Sequence, residues 1–390
     1  TFEKNNFFEN TTTMPVTLEN INERAREMKY AVRGAVVARA NELKQDLADG
    51  KKLPFETLIF CNIGNPQQLE QPPITFVRQV LSLIQNPKLL ENEDVVKSFN
   101  SDVIDRVKIM LKGIGVSPGA YSNSRGLPMV RENIAKFIAE RDGYPAFPDS
   151  IFVTDGASPA VKASLQLLIR NKNDGILCPI PQYPLYSASI TLLGGSLCPY
   201  FLDEENAWDL TVAAVEKGYQ EAVEKGITIR ALVVINPGNP TGQVLSIASV
   251  HALVEWAEKK GIVLLADEVY QANVYAEDKE FCSFKKAVCD LNSKLELISF
   301  HSVSKGVLGE CGKRGGYMEL YNFDKTVMSQ VYKLMSINLC SNVSGQLTVD
   351  LMVNPPKKGD VSFELYQKEV NTIFESLKRR AAKLSKMLNN

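Results

Sequence analysis

Lys305 lies in a stretch whose residue types suit covalent chemistry on a carbonyl compound. The stretch Ser302–Gly316 reads SVSKGVLGECGKRGG and follows an apolar segment, Leu295–Phe300, that is predicted to be a buried strand. A lysine that attacks an aldehyde must be partly neutral, and a desolvated position at a strand end lowers the pKa of its amine. The nearby hydroxyl of Ser302 and the guanidinium of Arg314 are groups that bind phosphate. A lysine beside a phosphate site indicates pyridoxal phosphate, although this stretch alone is equally compatible with a solvated lysine in a polar loop.

A second candidate phosphate contact follows the predicted strand Ile151–Thr154. Gly156, Ala157 and Ser158 open a predicted helix there, and the free N–H groups of a helix N-terminus favour an anion. Taken by itself, this motif is also explained by an ordinary N-cap at Ser158.

Four more groups follow predicted strands and match the remaining parts of the same cofactor. Asp267 comes directly after the apolar segment Ile262–Ala266, where a buried carboxylate needs a cationic partner such as a protonated pyridine nitrogen. Asn239 and Tyr270 are candidates to donate hydrogen bonds to the phenolic oxygen of the ring, and Tyr183 offers an aromatic face for stacking. Singly, these residues are also explained as a helix cap, a turn residue or a core aromatic. Because ligands bind at the carboxyl ends of parallel strands, their shared placement predicts one crevice.

The overall composition argues against several other classes of protein. The formal net charge of the 390 residues is −1 and no basic stripe is present, which argues against a nucleic-acid partner. The apolar runs are far shorter than the ~18 residues of a membrane span. The seven cysteines are scattered without a C-x-x-C motif, which predicts reduced thiols and a cytosolic or organellar matrix location. With two histidines in the chain, no metal site is predicted.

Strands and helices alternate from Ile151 to the strand before Lys305, with one of the helices predicted at Leu185–Leu193. Beyond Phe323 the pattern becomes helical, with a long helix predicted at about Phe363–Leu388. This alternation predicts an α/β fold with a mostly parallel sheet covered by helices on both faces. Leu58–Ile63 is predicted to be a further short strand, within a smaller α/β domain built from the N- and C-terminal parts. The predicted divisions are an arm over 1–18, the N-terminal part of the small domain with linker helices over 19–110, a large cofactor-binding domain over 111–355, and the start of a C-terminal small domain over 356–390.

Several motifs occur in the order typical of the fold-type I, class I/II aminotransferases, the large family that depends on pyridoxal phosphate. They are NPGNPTG at 236–242, DEVY at 267–270, and SVSK followed by RGG within 302–316. The motifs NIGNPQQ, YSNSRG and PIPQYPLY are similar to those of the alanine aminotransferase branch. The chain resembles this family over nearly its whole length.

The resemblance implies a role for each candidate residue. Lys305 would bind the cofactor aldehyde covalently, and Gly64 would lie near the substrate carboxylate. Tyr121, on the long loop Gly113–Gly126, would reach the phosphate across the interface of a homodimer with shared active sites. The remaining cofactor contacts would be Asp267 to the pyridinium, Asn239 and Tyr270 to the phenolic oxygen, Tyr183 by stacking, and Ala157, Ser158, Ser302 and Arg314 to the phosphate.

The same resemblance leads us to expect transfer of an amino group from L-alanine to 2-oxoglutarate. Three alternatives stay open: an aminotransferase that uses glyoxylate as acceptor, a lyase of the 1-aminocyclopropane-1-carboxylate synthase type, and a cofactor-binding module without turnover. The family is also expected to carry a second arginine for the substrate α-carboxylate. Because no segment after Pro356 resembles the motif of that arginine, the C-terminal small domain is expected to be incomplete.

Overall fold

The computed structural model describes residues 15–388. Most of the predicted arm over 1–18 therefore lies outside the described residues. The helices of the described part are α1 Glu23–Glu27, α2 Ala35–Ala48, α3 Thr75–Gln85, α4 Glu93–Lys97, α5 Ser101–Ile114, α6 Pro128–Asp142, α7 Ala157–Leu168, α8 Leu185–Leu193, α9 Val212–Glu224, α10 Ile247–Lys260, α11 Phe284–Asp290, α12 Lys325–Ser336, α13 Val343–Val353 and α14 Phe363–Leu388.

A seven-stranded sheet forms the centre of the fold, with the strand order β1-β7-β6-β5-β4-β2-β3. All neighbouring pairs are parallel except those of β7, which runs antiparallel to both β1 and β6. The prediction of a mostly parallel sheet is thus confirmed. The strands are β1 Ile151–Thr154, β2 Asp174–Ile180, β3 Ser196–Phe201, β4 Thr228–Ile235, β5 Val263–Asp267, β6 Leu297–Ser302 and β7 Gly316–Tyr321.

Helices cover both faces of this sheet, as the alternation of strands and helices predicts. The side chains of β4 show the two faces directly, because successive residues of a strand point to opposite sides. Val233 and Ile235 belong to a core shared with α7, α8 and α12. Leu232 and Val234 belong to a second core shared with α9, α10 and α11. The central strands are therefore buried on both faces, which explains their continuous apolar sequences.

A further helical layer packs beside β1. Helices α3, α5, α6 and α13 share a core there, to which Ile373 of α14 also contributes. The strand predicted at Leu58–Ile63 is wrong, because this segment has no β-ladder partner within residues 15–388 and instead lines two adjoining cavities. A run of apolar residues such as LIFC at 58–61 favours a buried extended chain, but a strand also needs a partner at hydrogen-bonding distance. The domain boundaries stay a prediction.

None of the helices within residues 15–388 is both long and apolar enough to cross a membrane.

Candidate active site

A cavity of about 860 Å³ lies at the carboxyl edge of the sheet. Ten of the eleven candidate residues line it: Gly64, Ala157, Ser158, Tyr183, Asn239, Asp267, Tyr270, Ser302, Lys305 and Arg314. Their shared position agrees with the expectation that groups following parallel strands meet in one crevice.

The register of the strands explains why these distant residues meet. Ile235 at the end of β4 pairs with Asp267 at the end of β5, and Asp267 pairs in turn with Phe300 of β6. The antiparallel strand β7 begins at the same edge, because its first residue, Gly316, pairs with both Thr154 of β1 and Ser302 of β6. The loops after β1, β4 and β5 and the loop that joins β6 to β7 therefore open on one cavity.

Asp267 provides a buried carboxylate at the floor of the cavity. Its side chain accepts a hydrogen bond of 2.8 Å from the hydroxyl of Tyr186, which is itself fully buried. The second oxygen receives a long contact of 3.5 Å from the backbone N–H of Val269. Burial raises the pKa of Asp267 to about 6, and the hydrogen bond from Tyr186 opposes this rise. No cationic side chain within residues 15–388 forms an ion pair with Asp267, so the carboxylate is suited to a positively charged ligand atom.

The side chain of Lys305 provides an amine in the wall of the cavity. Its Nζ atom donates a hydrogen bond of 2.9 Å to the carbonyl oxygen of Gly64 and lies 5.7 Å from the ring centre of Tyr270. Burial lowers the pKa of this amine, an effect that the Cys311 thiol partly opposes. A lowered pKa increases the fraction of free amine at neutral pH, which is the form that attacks a carbonyl carbon.

Groups that can donate hydrogen bonds to an anion meet at the N-terminus of α7. Gly156 precedes this helix with a φ of 85°, and no side chain caps the first turn. Arg314 packs directly on Gly156, and its guanidinium donates to the carbonyl oxygens of Asp155 at 2.9 Å and Cys311 at 3.2 Å. Free helix N–H groups, a fixed guanidinium and the nearby hydroxyl of Ser158 together suit a phosphate group.

Two pairs of polar groups complete the wall of the cavity. The side-chain amide of Asn239 lies 3.4 Å from the hydroxyl of Tyr270, so both donors point to one region. Burial raises the pKa of Tyr270 to about 12, which keeps its hydroxyl protonated and able to donate. The hydroxyl of Tyr183 lies 3.1 Å from that of Tyr30, which anchors the half-buried ring beside the cavity.

Tyr121 is the candidate residue that the structure does not bring to this cavity. It lies on the loop between α5 and α6 and is 79% exposed. Its predicted contact involves a second subunit, so the role of Tyr121 stays a prediction.

Sequence reasoning missed two tyrosines that shape the site. Tyr186, the last residue of the motif PIPQYPLY, holds Asp267, and Tyr30 holds Tyr183. A buried aspartate needs a hydrogen-bond donor, and Tyr186 follows the proposed stacking residue by one helical turn, so a signal for it was present. The pairing of Tyr30 had no comparable signal, because its partner is 153 residues away in the chain.

The residues present fit pyridoxal phosphate. A buried carboxylate without a cationic partner, an uncapped helix N-terminus beside an arginine, and a partly desolvated lysine correspond to the pyridine nitrogen, the phosphate and the aldehyde of this cofactor.

Comparisons with known proteins place these observations in a family. The model of the family "Aminotransferase class I and II" matches residues 86–390. The chain is 52% identical over 394 aligned positions to a probable mitochondrial alanine aminotransferase of Dictyostelium discoideum, an alignment that covers 99% of this chain and 74% of that protein. It is 48% identical to glutamate–glyoxylate aminotransferase 1 of Arabidopsis thaliana, with 95% and 76% of the two chains covered. The solved structure of an alanine aminotransferase from Pyrococcus furiosus superposes with a TM-score of 0.72 at 25% identity, covering 94% of this chain and 79% of that chain.

Proposed function

Since the chain belongs to the class I and II aminotransferases, which use pyridoxal phosphate, we propose that it transfers the amino group of L-alanine to 2-oxoglutarate. The products are pyruvate and L-glutamate. The observation that carries the choice of substrates is the high identity to the Dictyostelium alanine aminotransferase over almost the whole chain. The names of several relatives are also compatible with an enzyme of the cytosol or the mitochondrial matrix.

Lys305 is the residue that would bind the cofactor covalently and, once the amino group of the substrate has displaced it, transfer the proton. When bound, pyridoxal phosphate supplies an aldehyde that takes up the amino group and a ring that withdraws the electron pair of the broken C–H bond. The Nζ atom of Lys305 would remove the proton from Cα of alanine and later deliver it to the carbon that carried the aldehyde of the cofactor. Its hydrogen bond to Gly64 supports this role, because the carbonyl oxygen holds the amine at one place in the cavity.

Asp267 is the group that keeps the pyridine nitrogen protonated. A buried carboxylate that accepts a hydrogen bond from Tyr186 remains fixed in orientation, and a cationic N–H beside it removes the cost of burying an unpaired charge. Asn239 and Tyr270 would donate hydrogen bonds to the phenolic oxygen, and Tyr183 would stack on the ring.

The phosphate is held by the first turn of α7 and by the loops around Lys305. Ala157 and Ser158 offer N–H and hydroxyl groups, Ser302 offers a hydroxyl, and Arg314 offers two parallel donors. Tyr121 adds a contact from the second subunit of a homodimer; its 79% exposure in one chain leaves it free for that role.

Reduction with borohydride tests the central assignment. The protein loaded with cofactor is treated with borohydride, and its intact mass is compared with that of Lys305→Ala. We expect a stable mass increase by one reduced cofactor in the natural protein and none in the variant. We also expect the variant to lose alanine and 2-oxoglutarate turnover by several orders of magnitude. A variant that is still labelled and turns over normally would show that another residue binds the cofactor.

Glyoxylate is the second candidate acceptor, because the glutamate–glyoxylate aminotransferase of Arabidopsis is nearly as similar to this chain. Parallel assays with L-alanine as donor and either 2-oxoglutarate or glyoxylate as acceptor separate the two enzymes. The proposal requires a higher kcat/KM with 2-oxoglutarate. An assay for elimination from a sulfonium substrate separates both from the lyase alternative.

A further inference from the structure

Among the described residues, the cavity wall contains one cationic side chain that the cofactor does not require. Among the described residues that line the cavity, the cations are Arg33, Lys305 and Arg314. Lys305 is needed for the aldehyde and Arg314 for the phosphate, which leaves Arg33. The substrate pair of the proposed function contains a second carboxylate, on the side chain of glutamate and 2-oxoglutarate, and a carboxylate in a cavity is most readily bound by arginine.

The peptide bond that precedes Arg33 is held by hydrogen bonds at both its carbonyl and its N–H group. Arg33 ends a short 3₁₀ turn that begins at Ala31, and its own N–H donates to the carbonyl oxygen of Tyr30 at 3.0 Å. The preceding carbonyl, that of Val32, accepts a hydrogen bond of 3.0 Å from the side chain of Asn62. Within residues 15–388, no acidic side chain forms an ion pair with Arg33. The turn is therefore fixed and its guanidinium is not neutralised by a neighbouring carboxylate.

The position of Arg33 fits the distal carboxylate better than the α-carboxylate. Arg33 lines both the 860 Å³ cavity and an adjoining cavity of about 690 Å³, so it lies where the two cavities meet. The α-carboxylate is attached to the carbon from which Lys305 takes the proton and must lie beside Lys305 and Gly64, which are in contact. The distal carboxylate extends away from that carbon by two methylene groups and can reach the junction of the cavities.

The exposure of Arg33 is compatible with a site that must also accept alanine. A buried arginine would be left without a partner when the methyl group of alanine takes the place of a carboxyethyl group, at a large cost in desolvation. Arg33 is exposed, so water solvates its guanidinium when the smaller substrate is bound. One site can then serve both substrates in turn.

We infer that Arg33 is a specificity-determining residue that binds the side-chain carboxylate of the dicarboxylate substrates, L-glutamate and 2-oxoglutarate. The inference rests on the proposed function. It predicts that Arg33 contributes to the binding of these two compounds and leaves L-alanine and pyruvate unaffected.

The test measures each half-reaction of the cofactor-loaded enzyme separately by absorbance, for the natural protein, Arg33→Met, Arg33→Lys and Arg39→Met. Arg39 is the matched control, because it is an exposed arginine on α2 that pairs with Glu42 and does not line the cavity. We expect Arg33→Met to raise KM for L-glutamate and 2-oxoglutarate by about tenfold or more. KM for L-alanine and pyruvate should change by less than about twofold. For L-glutamate and 2-oxoglutarate, the KM values of Arg33→Lys should lie between those of the natural protein and of Arg33→Met.

Calorimetry of glutarate binding to the same four proteins provides a measurement that needs no turnover. Glutarate should bind to the natural protein and to Arg39→Met, and much more weakly to Arg33→Met, whereas propionate should bind to all of these proteins equally.

An equal rise of KM for all four substrates would overturn the inference, because it would indicate a role at the shared α-carboxylate. Unchanged kinetics, or glutarate binding that does not depend on Arg33, would overturn it as well. If the natural protein does not transaminate alanine, the proposed function fails, and loss of glutarate binding in Arg33→Met would still support dicarboxylate recognition.

Discussion

The hydroxyl of Tyr186 lies 2.8 Å from Oδ2 of Asp267, and both side chains are buried beneath the cavity. Tyr186 belongs to the first turns of α8, whereas Asp267 ends β5, so this hydrogen bond joins a helix on one face of the sheet to the carboxyl end of a central strand. The bond stabilises the ionised form of Asp267 against the burial that raises its pKa. In the proposed function, Tyr186 is thus a positioning residue that would act on the cofactor through Asp267.

Replacing Tyr186 by phenylalanine removes this hydrogen bond with almost no change in volume. Because the ionised carboxylate loses its donor, the pKa of Asp267 should rise further and cofactor binding should weaken by about tenfold. The dissociation constant for pyridoxal phosphate, measured by absorbance between about pH 5 and pH 8, should show the loss of affinity beginning at a higher pH in the variant.

Tyr200→Phe is the matched control for this prediction. Tyr200 is also fully buried and donates one hydrogen bond of 2.8 Å, but its acceptor is the backbone carbonyl of Val233. This variant should lower the stability of the fold and leave the pH dependence of cofactor binding unchanged. Identical effects of the two variants would mean that Tyr186 acts through general stability.

The raised pKa of Asp267 predicts how the stability of the cofactor-free protein depends on pH. The carboxyl group of Asp267 stays protonated in the folded protein up to about pH 6, whereas the ordinary pKa of an aspartate is 3.8. Between the two pKa values, the folded state therefore binds more protons than the unfolded state. The contribution of Asp267 to the free energy of unfolding is greatest below pH 3.8 and decreases as the pH rises through about 6. Asp267→Asn, which keeps an acceptor for Tyr186, should remove this decrease.

Thermal unfolding of both cofactor-free proteins across this pH range measures the effect. The variant should be more stable than the natural protein at about pH 8, and the difference should disappear at about pH 4. Comparison of the two proteins is essential because burial also raises the pKa of Glu268, to about 7, and this neighbour affects both proteins alike. A difference that does not vary with pH would contradict the assignment of the raised pKa to Asp267.

Gly64 lies so close to the reactive amine that an added methyl group should disturb it. A Cβ atom built on Gly64 would lie 3.2 Å from Nζ of Lys305, closer than ordinary van der Waals contact. Gly64→Ala should therefore displace the amine and slow the half-reaction with L-alanine by roughly tenfold, with little effect on stability because the amine is flexible. Gly312→Ala is the control, since a Cβ atom there meets nothing within 4 Å. Single-turnover kinetics of the two variants should differ clearly; equal rates would show that Gly64 does not constrain Lys305.

The fold could be predicted from the sequence wherever the signal is local. Helix α8 begins and ends where it was predicted, because Pro184 precedes it and Gly194, with a φ of 77°, follows it. Helix α14 likewise covers the predicted Phe363–Leu388. Helical periodicity and helix-ending residues are properties of short segments, so they are visible without knowledge of the rest of the chain.

Long-range relationships could not be predicted in the same way. The hydrogen bond between Tyr30 and Tyr183 joins residues 153 positions apart. The cavity wall that contains Arg33 also includes residues 61–63, part of a segment for which the sequence predicted a strand. The strand β7 was also missed, although it brings Arg314 to the anion site by pairing Gly316 with Thr154. Which elements become neighbours depends on tertiary packing, which a local pattern does not contain.

Arg314 offers the sharpest test of the phosphate site. Arg314 is held beside Gly156 by hydrogen bonds to two backbone carbonyls, so its guanidinium faces the uncapped N-terminus of α7 in a fixed orientation. Arg314→Lys keeps the positive charge and loses the two parallel donors, so the affinity for pyridoxal phosphate should fall by about tenfold. Pyridoxal, which lacks the phosphate, should bind the natural protein and the variant equally well.

Lys313→Met is the control for charge alone. Lys313 is adjacent in the chain and does not line the cavity, so its loss should leave both affinities unchanged. Inorganic phosphate should compete with pyridoxal phosphate less effectively for the Arg314→Lys variant than for the natural protein. If that variant lost affinity for pyridoxal as well, the effect would come from a general change of the cavity, and the anion site would have to lie elsewhere. The ratio of the two affinities therefore distinguishes phosphate recognition by Arg314 from a structural role, because a guanidinium that contacts only the phosphate cannot affect a ligand without one.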